Sequence, residues 1–294
     1  MYWLGLDVYN GRMSRLLVLL LALIACAWAA PADMLVSTDW LAARLNDPAV
    51  VVLHVGSEQD YRAGHVPGAR LVTLGDLSVT GDRGLRLELP PVEALRAALM
   101  KLGVGDGSRV VIYPAGESVQ SATRVWFTFD YLGLGERASL LDGGLAAWRA
   151  EGRPVSTEIP RVEPAANLTA RARPEIVVDA EYVRSHAGAI DLIDARTPEF
   201  YSGESAGMMP RAGHIPGARN VPFVTLVDER RKLKSHEALA ALPGEAGKPA
   251  VAYCHIGQQA TVVYFVSRYL GREVRLYDGS FQDWSTRPGL PVSK

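Results

Sequence analysis

The chain has 294 residues, enough for two ordinary domains or one large one. Hydrophobic residues make up 48% and charged residues 21%, which is normal for a globular protein with a full core. The formal net charge is -1 and no block of Lys or Arg stands out, which argues against nucleic acid or an anionic membrane surface as partner.

The N-terminal segment differs from the rest of the chain. Every residue from Leu16 to Ala30 is apolar, and two arginines precede this run. Such a run is too short to span a bilayer core of about 30 Å comfortably, but it is typical of a signal peptide. Ala27-Trp28-Ala29 supplies the small-x-small pattern of a cleavage site. We therefore predict a signal peptide over residues 1–29 and export, with the protein periplasmic or outside the cell. Translation starts at Met1 or at Met13.

The same segment contains one of the two cysteines. Leu23-Ile24-Ala25-Cys26 resembles a bacterial lipobox, in which Cys26 would carry a lipid anchor. The interpretation that we favour is that Cys26 lies inside a signal peptide that is removed. In either case Cys26 is unavailable for a disulfide, and Cys254 is the only free thiol of the mature chain. One unpaired cysteine in an oxidising compartment is unusual for a purely structural thiol.

The sequence contains an internal repeat. Gly64–Arg70 (GHVPGAR) recurs as Gly213–Arg219 (GHIPGAR), and Leu141–Trp148 (LDGGLAAW) recurs as Tyr277–Trp284 (YDGSFQDW). Two matches of this length in the same order predict two copies of one domain.

We place the two copies at residues 33–157 and 176–294. The segment 158–175 between them is rich in Pro, Ala and Arg with little apolar periodicity, and we interpret it as a linker. Within the second copy, short apolar runs such as 189–194 and 249–253 alternate with a helical pattern over 260–270. This alternation predicts α/β domains, each with a mainly parallel sheet flanked by helices.

Cys254 directly follows a predicted strand that ends at Tyr253, and a helix is predicted to begin about six residues later. In parallel sheets ligands bind at the carboxyl ends of the strands. A thiol at this point faces the backbone N–H groups of residues 255–259 and the positive end of the following helix, and both favour the thiolate. The same amides can hold an oxyanion or the charged outer sulfur of a persulfide. Gly257 permits a tight turn, and Thr261 offers a hydroxyl donor.

Four motifs together resemble the tandem-domain rhodanese family: Asp194-Ala195-Arg196, Gly213–Ala218, Cys254–Ala260 and Asp278–Trp284. The resemblance covers residues 34–294 and implies a sulfurtransferase. In this family Cys254 would take a sulfane sulfur from thiosulfate or 3-mercaptopyruvate, become a persulfide, and pass the sulfur to cyanide or a thiol. The predicted substrate-binding residues are His255, Ile256, Gly257, Gln258, Gln259, Ala260, Thr261 and Arg196.

The first copy departs from this pattern. Pro114 stands where the second copy has Cys254, and His54 and Gly56 replace Asp194 and Arg196. Without a nucleophile the first domain cannot perform the same chemistry. We expect it to support the site and to form part of its wall.

Other residues leave alternatives open. Arg196 could steer an anionic donor, or it could form a buried salt bridge with Asp194. His255 could add positive charge or acid catalysis beside the nucleophile, or it could have no role. His65 and His214 lie in repeated turns, where we expect them to bond nearby backbone.

The residues around Cys254 also bear on the choice of donor. The loop offers only His255 as a cation, and Phe200 stands where many vertebrate-type members of the family carry an arginine. We favour thiosulfate, because the loop amides suit a sulfonate group and export removes the protein from cytosolic 3-mercaptopyruvate.

Rival classes fit the sequence less well. Phosphatases of the Cys-x5-Arg kind need an arginine at position 260, which here is Ala260. A non-enzymatic sulfur carrier with a Cys254 persulfide remains an alternative. We expect a monomer. No bound metal is expected, because the His and Cys residues form no ligand cluster. No dissociable cofactor is expected, because no nucleotide fingerprint follows a predicted strand.

Overall fold

The computed structural model describes residues 34–81, 83–241, 244 and 247–294. The predicted signal peptide and Cys26 lie outside these residues. Within the described ranges, no helix combines the length and the apolar character that crossing a membrane requires.

The first domain contains a five-stranded sheet in the order β1-β5-β4-β2-β3, and all its pairs are parallel. Its strands are β1 (Leu35–Val36), β2 (Val50–Val55), β3 (Arg70–Val72), β4 (Arg109–Pro114) and β5 (Ala138–Leu141). Its helices are α1 (Thr38–Ala42), α2 (Glu58–Ala63), α3 (Val92–Lys101), α4 (Val119–Tyr131) and α5 (Gly144–Ala150).

The second domain repeats this arrangement, with the parallel order β6-β10-β9-β7-β8. Its strands are β6 (Val177–Val178), β7 (Asp191–Asp194), β8 (Arg219–Asn220), β9 (Ala250–Tyr253) and β10 (Val274–Tyr277). Its helices are α6 (Ala180–Ser185), α7 (Pro198–Tyr201), α8 (His236–Ala240), α9 (Ala260–Tyr269) and α10 (Ser280–Thr286). The prediction of two α/β domains with parallel sheets is confirmed.

The central strands are apolar because both faces of each sheet are covered. Along β2, Val51 and Leu53 belong to the main apolar core, whereas Val52 between them belongs to a separate cluster on the opposite face. The side chains of a strand alternate between faces, so an uninterrupted apolar run serves both clusters.

The two domains share one core through α4 and α9. Trp126 of α4 meets Phe265 of α9 edge to face, with ring centroids 4.8 Å apart, and Phe127 meets Tyr264 at 4.9 Å. Such contacts bury a large apolar area and leave the two helices little freedom to separate.

The repeated motifs occupy equivalent positions. His65 and His214 each donate from Nδ1 to a backbone carbonyl at 2.8 Å, of Tyr61 and Tyr201 respectively, and each stacks on that tyrosine ring. The prediction that these histidines fix local backbone is therefore confirmed.

The aspartates of the repeated Asp-Gly motifs link the domains reciprocally. Asp142 accepts a hydrogen bond from the amide of Leu233 in the second domain, and Asp278 accepts one from the amide of Leu89 in the first, both at 3.3 Å. Each domain therefore holds a loop of the other against the end of its own sheet.

Candidate active site

Cys254 lies immediately after β9 and is fully buried. Its N–H donates to the Ser280 hydroxyl at 3.1 Å, and its carbonyl accepts from the amide of Phe281 at 3.0 Å. Both partners lie at the start of α10, so the backbone of Cys254 is fixed between two elements of the second domain. Among the described residues it is the one free cysteine.

The loop after Cys254 presents backbone amides that have no hydrogen-bond acceptor in the described part of the chain. Among the residues that the structure describes, no group accepts a hydrogen bond from the N–H groups of residues 255–259. The helix α9 begins directly afterwards at Ala260, and its N-terminus adds a positive partial charge. The loop can therefore bind an oxyanion or a charged sulfur above the cysteine.

Gly257 is required by the shape of this loop. Its φ is +77°, and an added Cβ would lie 2.6 Å from the carbonyl oxygen of Asp278. The Gly257 carbonyl accepts a hydrogen bond at 3.2 Å from Arg124 of α4, which also forms an ion pair with Asp278 at 2.5 Å. The conformation of the loop thus depends on a residue of the first domain.

A pocket of about 280 Å³ opens onto Cys254. Five predicted site residues line it: Cys254, His255, Ile256, Gln258 and Gln259. Five further residues that sequence reasoning did not assign to the site complete the lining: Arg86, Phe200, Gly207, Met208 and Met209. Arg86 comes from the first domain, which therefore forms part of the wall as the sequence predicted.

Three predicted residues of the loop lie outside this lining. Gly257, Ala260 and Thr261 are buried. The Thr261 hydroxyl donates to the carbonyl of Gln258 at 2.6 Å and bonds the hydroxyl of Thr123 at 2.8 Å. The expectation that Thr261 offers a free donor to substrate is corrected, because its hydroxyl is used to join the two domains.

Arg196 takes the second of its two predicted roles. It is 1% exposed, pairs with Asp194 at 2.6 Å, and donates to the carbonyl of Gly213 at 2.8 Å. Burial lowers the pKa of Arg196, but the hydrogen bond and charge of Asp194 outweigh it, so the pKa lies above its ordinary value. The side chain is absent from the lining that the described residues give the pocket. Arg196 braces the site, and its assignment as a substrate-binding residue is corrected.

His255 is half-buried in the pocket wall, with its ring edge-on to Phe200 at 4.5 Å. Burial first, and the positive charge of Arg196 second, lower the pKa of His255 from 6.5 to about 4. His255 is consequently neutral at neutral pH, and it contributes a polar surface rather than a positive charge.

The equivalent place in the first domain has no nucleophile. Pro114 ends β4, and the ring of His54 bonds the hydroxyl of Tyr113 at 3.0 Å. A Cβ on Gly56 would lie 2.4 Å from the Cβ of Ala115, so an arginine at this position has no room. The first domain retains the fold and lacks the reactive groups.

The lining residues that the sequence analysis does not assign to the pocket differ in whether any sequence pattern identifies them. The sequence marks Phe200 as a replacement for arginine, but it does not identify Phe200 as a wall residue. Met208 and Met209 lie in an irregular segment between α7 and β8. Arg86 lies in a loop of the other domain without apolar periodicity, so no local pattern connects it with Cys254.

Comparison with known proteins agrees with this geometry. Residues 37–151 and 179–287 each match the family described as the rhodanese-like domain. The chain is a two-domain α/β protein with its one described free thiol at the carboxyl end of the central strand of the second sheet, and it belongs to the rhodanese family.

Several relatives of known name cover nearly the whole chain. The 3-mercaptopyruvate sulfurtransferase of Escherichia coli is 34% identical over 279 residues, which is 87% of this chain and 96% of the relative. The sulfur carrier protein TtuD of Thermus thermophilus is 33% identical, covering 89% and 97%. A putative thiosulfate sulfurtransferase of Synechococcus elongatus is 31% identical, covering 94% and 92%. The family is therefore that of the sulfurtransferases.

Solved structures support the fold. The crystal structure of YnjE has a TM-score of 0.78 at 24% identity, covering 89% of this chain and 68% of that chain. The anaerobic ergothioneine biosynthesis enzyme of Chlorobium limicola has a TM-score of 0.80 at 21% identity, covering 89% and 70%.

Proposed function

We propose that this chain transfers a sulfane sulfur from thiosulfate to cyanide or a thiol through a persulfide on Cys254. The observation that supports this most directly is a free, buried thiol among the residues that line a pocket. The adjoining amides of residues 255–259 have no acceptor among the described residues. Such amides suit an anionic donor first and a negatively charged persulfide afterwards.

The reaction proceeds in two displacements. The Cys254 thiolate attacks the outer sulfur of thiosulfate, the sulfur–sulfur bond of the donor breaks, and sulfite leaves with the electron pair. The acceptor then attacks the outer sulfur of the Cys254 persulfide. The bond to Sγ breaks, the thiolate is restored, and thiocyanate or an acceptor persulfide is released. Sulfur passes between nucleophiles, so the cycle needs no external oxidant or reductant.

The choice of thiosulfate rests on the chemistry of the pocket. The oxygens of a sulfonate group can accept hydrogen bonds from the amides of residues 255–259, which have no acceptor among the described residues, and Arg86 adds a positive charge from the first domain. The names of the relatives include thiosulfate sulfurtransferase and 3-mercaptopyruvate sulfurtransferase. Both donors therefore belong in the test.

The experiment measures thiocyanate formation from cyanide with each donor, using the full chain and the C254S variant. Activity with thiosulfate that is lost in C254S supports the proposal, and preference for 3-mercaptopyruvate would revise the donor. A relative named sulfur carrier protein favours a second candidate function, a carrier whose persulfide serves one protein partner. Persulfide formation on Cys254 without turnover by small acceptors would favour the carrier.

We further propose that the protein is exported, on the basis of the apolar run Leu16–Ala30 and the small residues around Trp28. Cell fractionation with mass measurement of the mature N-terminus tests this proposal. A mature chain that begins after Ala29 fits cleavage, a lipid-modified Cys26 identifies an anchor, and a cytosolic chain with an intact leader would overturn it.

A further inference from the structure

A second cavity, of about 540 Å³, opens at the end of the second sheet that is opposite to the cysteine pocket. Its lining includes Ala250, the first residue of β9, whereas Cys254 follows the last residue of that strand. The linings that the described residues give to the two cavities share no residue. Five charged side chains line the second cavity: Asp191, Arg219, Lys248, Arg272 and Glu273.

The internal repeat identifies the counterparts of two lining residues in the first domain. The turn after α9 matches the turn after α4 in its backbone bonds. The amide of Arg272 donates to the carbonyl of Ser267 at 2.8 Å, and the amide of Leu134 donates to the carbonyl of Phe129 at 2.8 Å. Ser267 therefore corresponds to Phe129, and Arg272 corresponds to Leu134.

A third lining residue, Asp191, corresponds to Val51. Asp191 lies three positions before Asp194, and Val51 lies three positions before His54, the counterpart of Asp194. All three counterparts in the first domain belong to its apolar core and are at most 4% exposed. Three positions that the first domain fills with buried apolar side chains thus hold Asp, Ser and Arg in the second domain.

The fold itself does not require polar groups at these positions, because the first domain closes the same end of its sheet with apolar side chains. Polar groups that are buried there cost stability unless they are paired. Asp191 is 3% exposed and accepts two hydrogen bonds from Arg219, at 2.5 and 2.7 Å, which gives a neutral pair. The polar lining is therefore a particular property of the second copy.

Two other polar groups of the lining retain hydrogen-bonding capacity for a ligand. Ser267 is 8% exposed, and its hydroxyl has no hydrogen-bond partner in the part of the chain that the structure describes. The Arg272 guanidinium donates to the carbonyl of Ala240 at 3.0 Å, and no described carboxylate lies within ion-pair distance of it. A hydroxyl and a guanidinium both donate hydrogen bonds, so together they suit the oxygens of an anion.

The balance of charge also favours an anion. Lys248 adds a cation to the lining, and the exposed carboxylate of Glu273 pairs with Arg275 at 3.2 Å. The carbonyl of Ser267, at the end of α9, is already bonded to the amide of Arg272. Among the described residues, positive charge around the cavity thus exceeds negative charge, and a half-enclosed site of this kind concentrates anions.

We propose that this cavity binds a small oxyanion of the phosphate or sulfate class. Arg272 and Ser267 donate hydrogen bonds to its oxygens, and Lys248 contributes positive charge. The site is additional to the proposed sulfur transfer and does not depend on it, because Cys254 lies at the other end of β9. The first domain has no such site, since apolar side chains occupy the equivalent positions.

The test titrates the full chain with sodium phosphate and, separately, with sodium sulfate by isothermal titration calorimetry, at an ionic strength held constant with sodium chloride. We expect saturable binding with a dissociation constant of about 1 mM or below for the preferred anion. The variants S267F and R272L introduce the residues of the first domain. Each should weaken this binding about tenfold or more, since a hydrogen bond to a charged group is lost. R62L, which removes an exposed arginine elsewhere, should bind like the wild type.

The variants also distinguish this cavity from the cysteine loop. An anion held by the amides of residues 255–259 stays bound in S267F and R272L, so only the binding that these variants lose belongs to the cavity. If S267F does not fold, S267A removes the hydroxyl alone and is compared with R272L.

Urea titration with and without phosphate gives a second measure of binding. We expect phosphate to raise the unfolding midpoint less in R272L than in the wild type and R62L. Absence of saturable binding to the folded wild type, or equal affinities and equal midpoint shifts in all variants, would overturn the proposal.

Discussion

Arg124 and Asp278 form a buried ion pair across the domain boundary, with 2.5 Å between Nη1 and Oδ1 and side chains 3% and 9% exposed. Arg124 also donates to the carbonyl of Gly257 in the cysteine loop and to that of Leu87 in the loop that carries Arg86. One guanidinium therefore bonds the cysteine loop, the Arg86 loop and the end of β10. The site depends on both domains, although the nucleophile belongs to one.

Removing this guanidinium leaves a carboxylate buried without its cation. We expect R124M to lower the free energy of unfolding by about 3–5 kcal/mol, the cost typical of breaking one side of a buried pair. Urea titration followed by tryptophan fluorescence measures the change. R62M is the matched control, because its pair with Glu58 is exposed and is expected to be worth about 1 kcal/mol or less. Similar losses in the two variants would contradict the assigned role of Arg124.

Alanine substitutions at two glycines with similar backbone conformations distinguish the cost of a left-handed φ from the cost of a steric collision. Gly217 has a φ of +80° with open space around an added Cβ, whereas Gly257 has a φ of +77° with Asp278 in the way. We expect G217A to cost about 1–2 kcal/mol of stability, as the left-handed conformation predicts, and to keep its activity. G257A should lose more stability and most of its thiocyanate production, because Asp278 and the loop must move apart. Equal activity in both variants would show that the shape of the loop is not critical.

The buried imidazole of His255 predicts a pH dependence of stability. Burial first, and Arg196 second, lower its pKa from 6.5 to about 4 in the folded state, so the unfolded chain binds a proton that the folded chain does not. Its contribution to stability is complete above pH 6.5 and is lost as the pH falls toward about 4. We expect H255N to lose less stability than the wild type between pH 6.5 and about 5, measured by urea titration. H186N, at an exposed position, should follow the wild type, and parallel curves for H255N would refute the assignment.

The sequence predicted the features that depend on local pattern. The repeat, the alternation of strands and helices, and the strand–loop–helix around Cys254 each lie within a short stretch of chain, and the structure places them accordingly. The histidine turns were also predictable, because His65 and His214 bond backbone only four and thirteen positions away.

The remaining features depend on packing between distant segments. Arg86 lines the same pocket as Cys254 because α4 packs on α9 and brings a loop of one domain to the carboxyl ends of the strands of the other. The role of Arg196 required knowledge of burial, since an arginine two residues after an aspartate fits an exposed anion site equally well. Thr261 was misassigned because its partner Thr123 belongs to the other domain.

Ser280 offers a last test of how the cysteine is positioned. Its hydroxyl accepts from the amide of Cys254 and donates to the carbonyl of Tyr277 at 2.8 Å, and its φ is +52°. Gly144 occupies the equivalent place in the first domain with a φ of +55°. Both S280A and S280G lose the hydrogen bonds, but only S280G relieves the backbone strain. We therefore expect both variants to lower thiocyanate production roughly tenfold, with S280G more stable than S280A by about 1 kcal/mol. Wild-type activity in S280G would show that backbone conformation, and not the hydroxyl, positions Cys254.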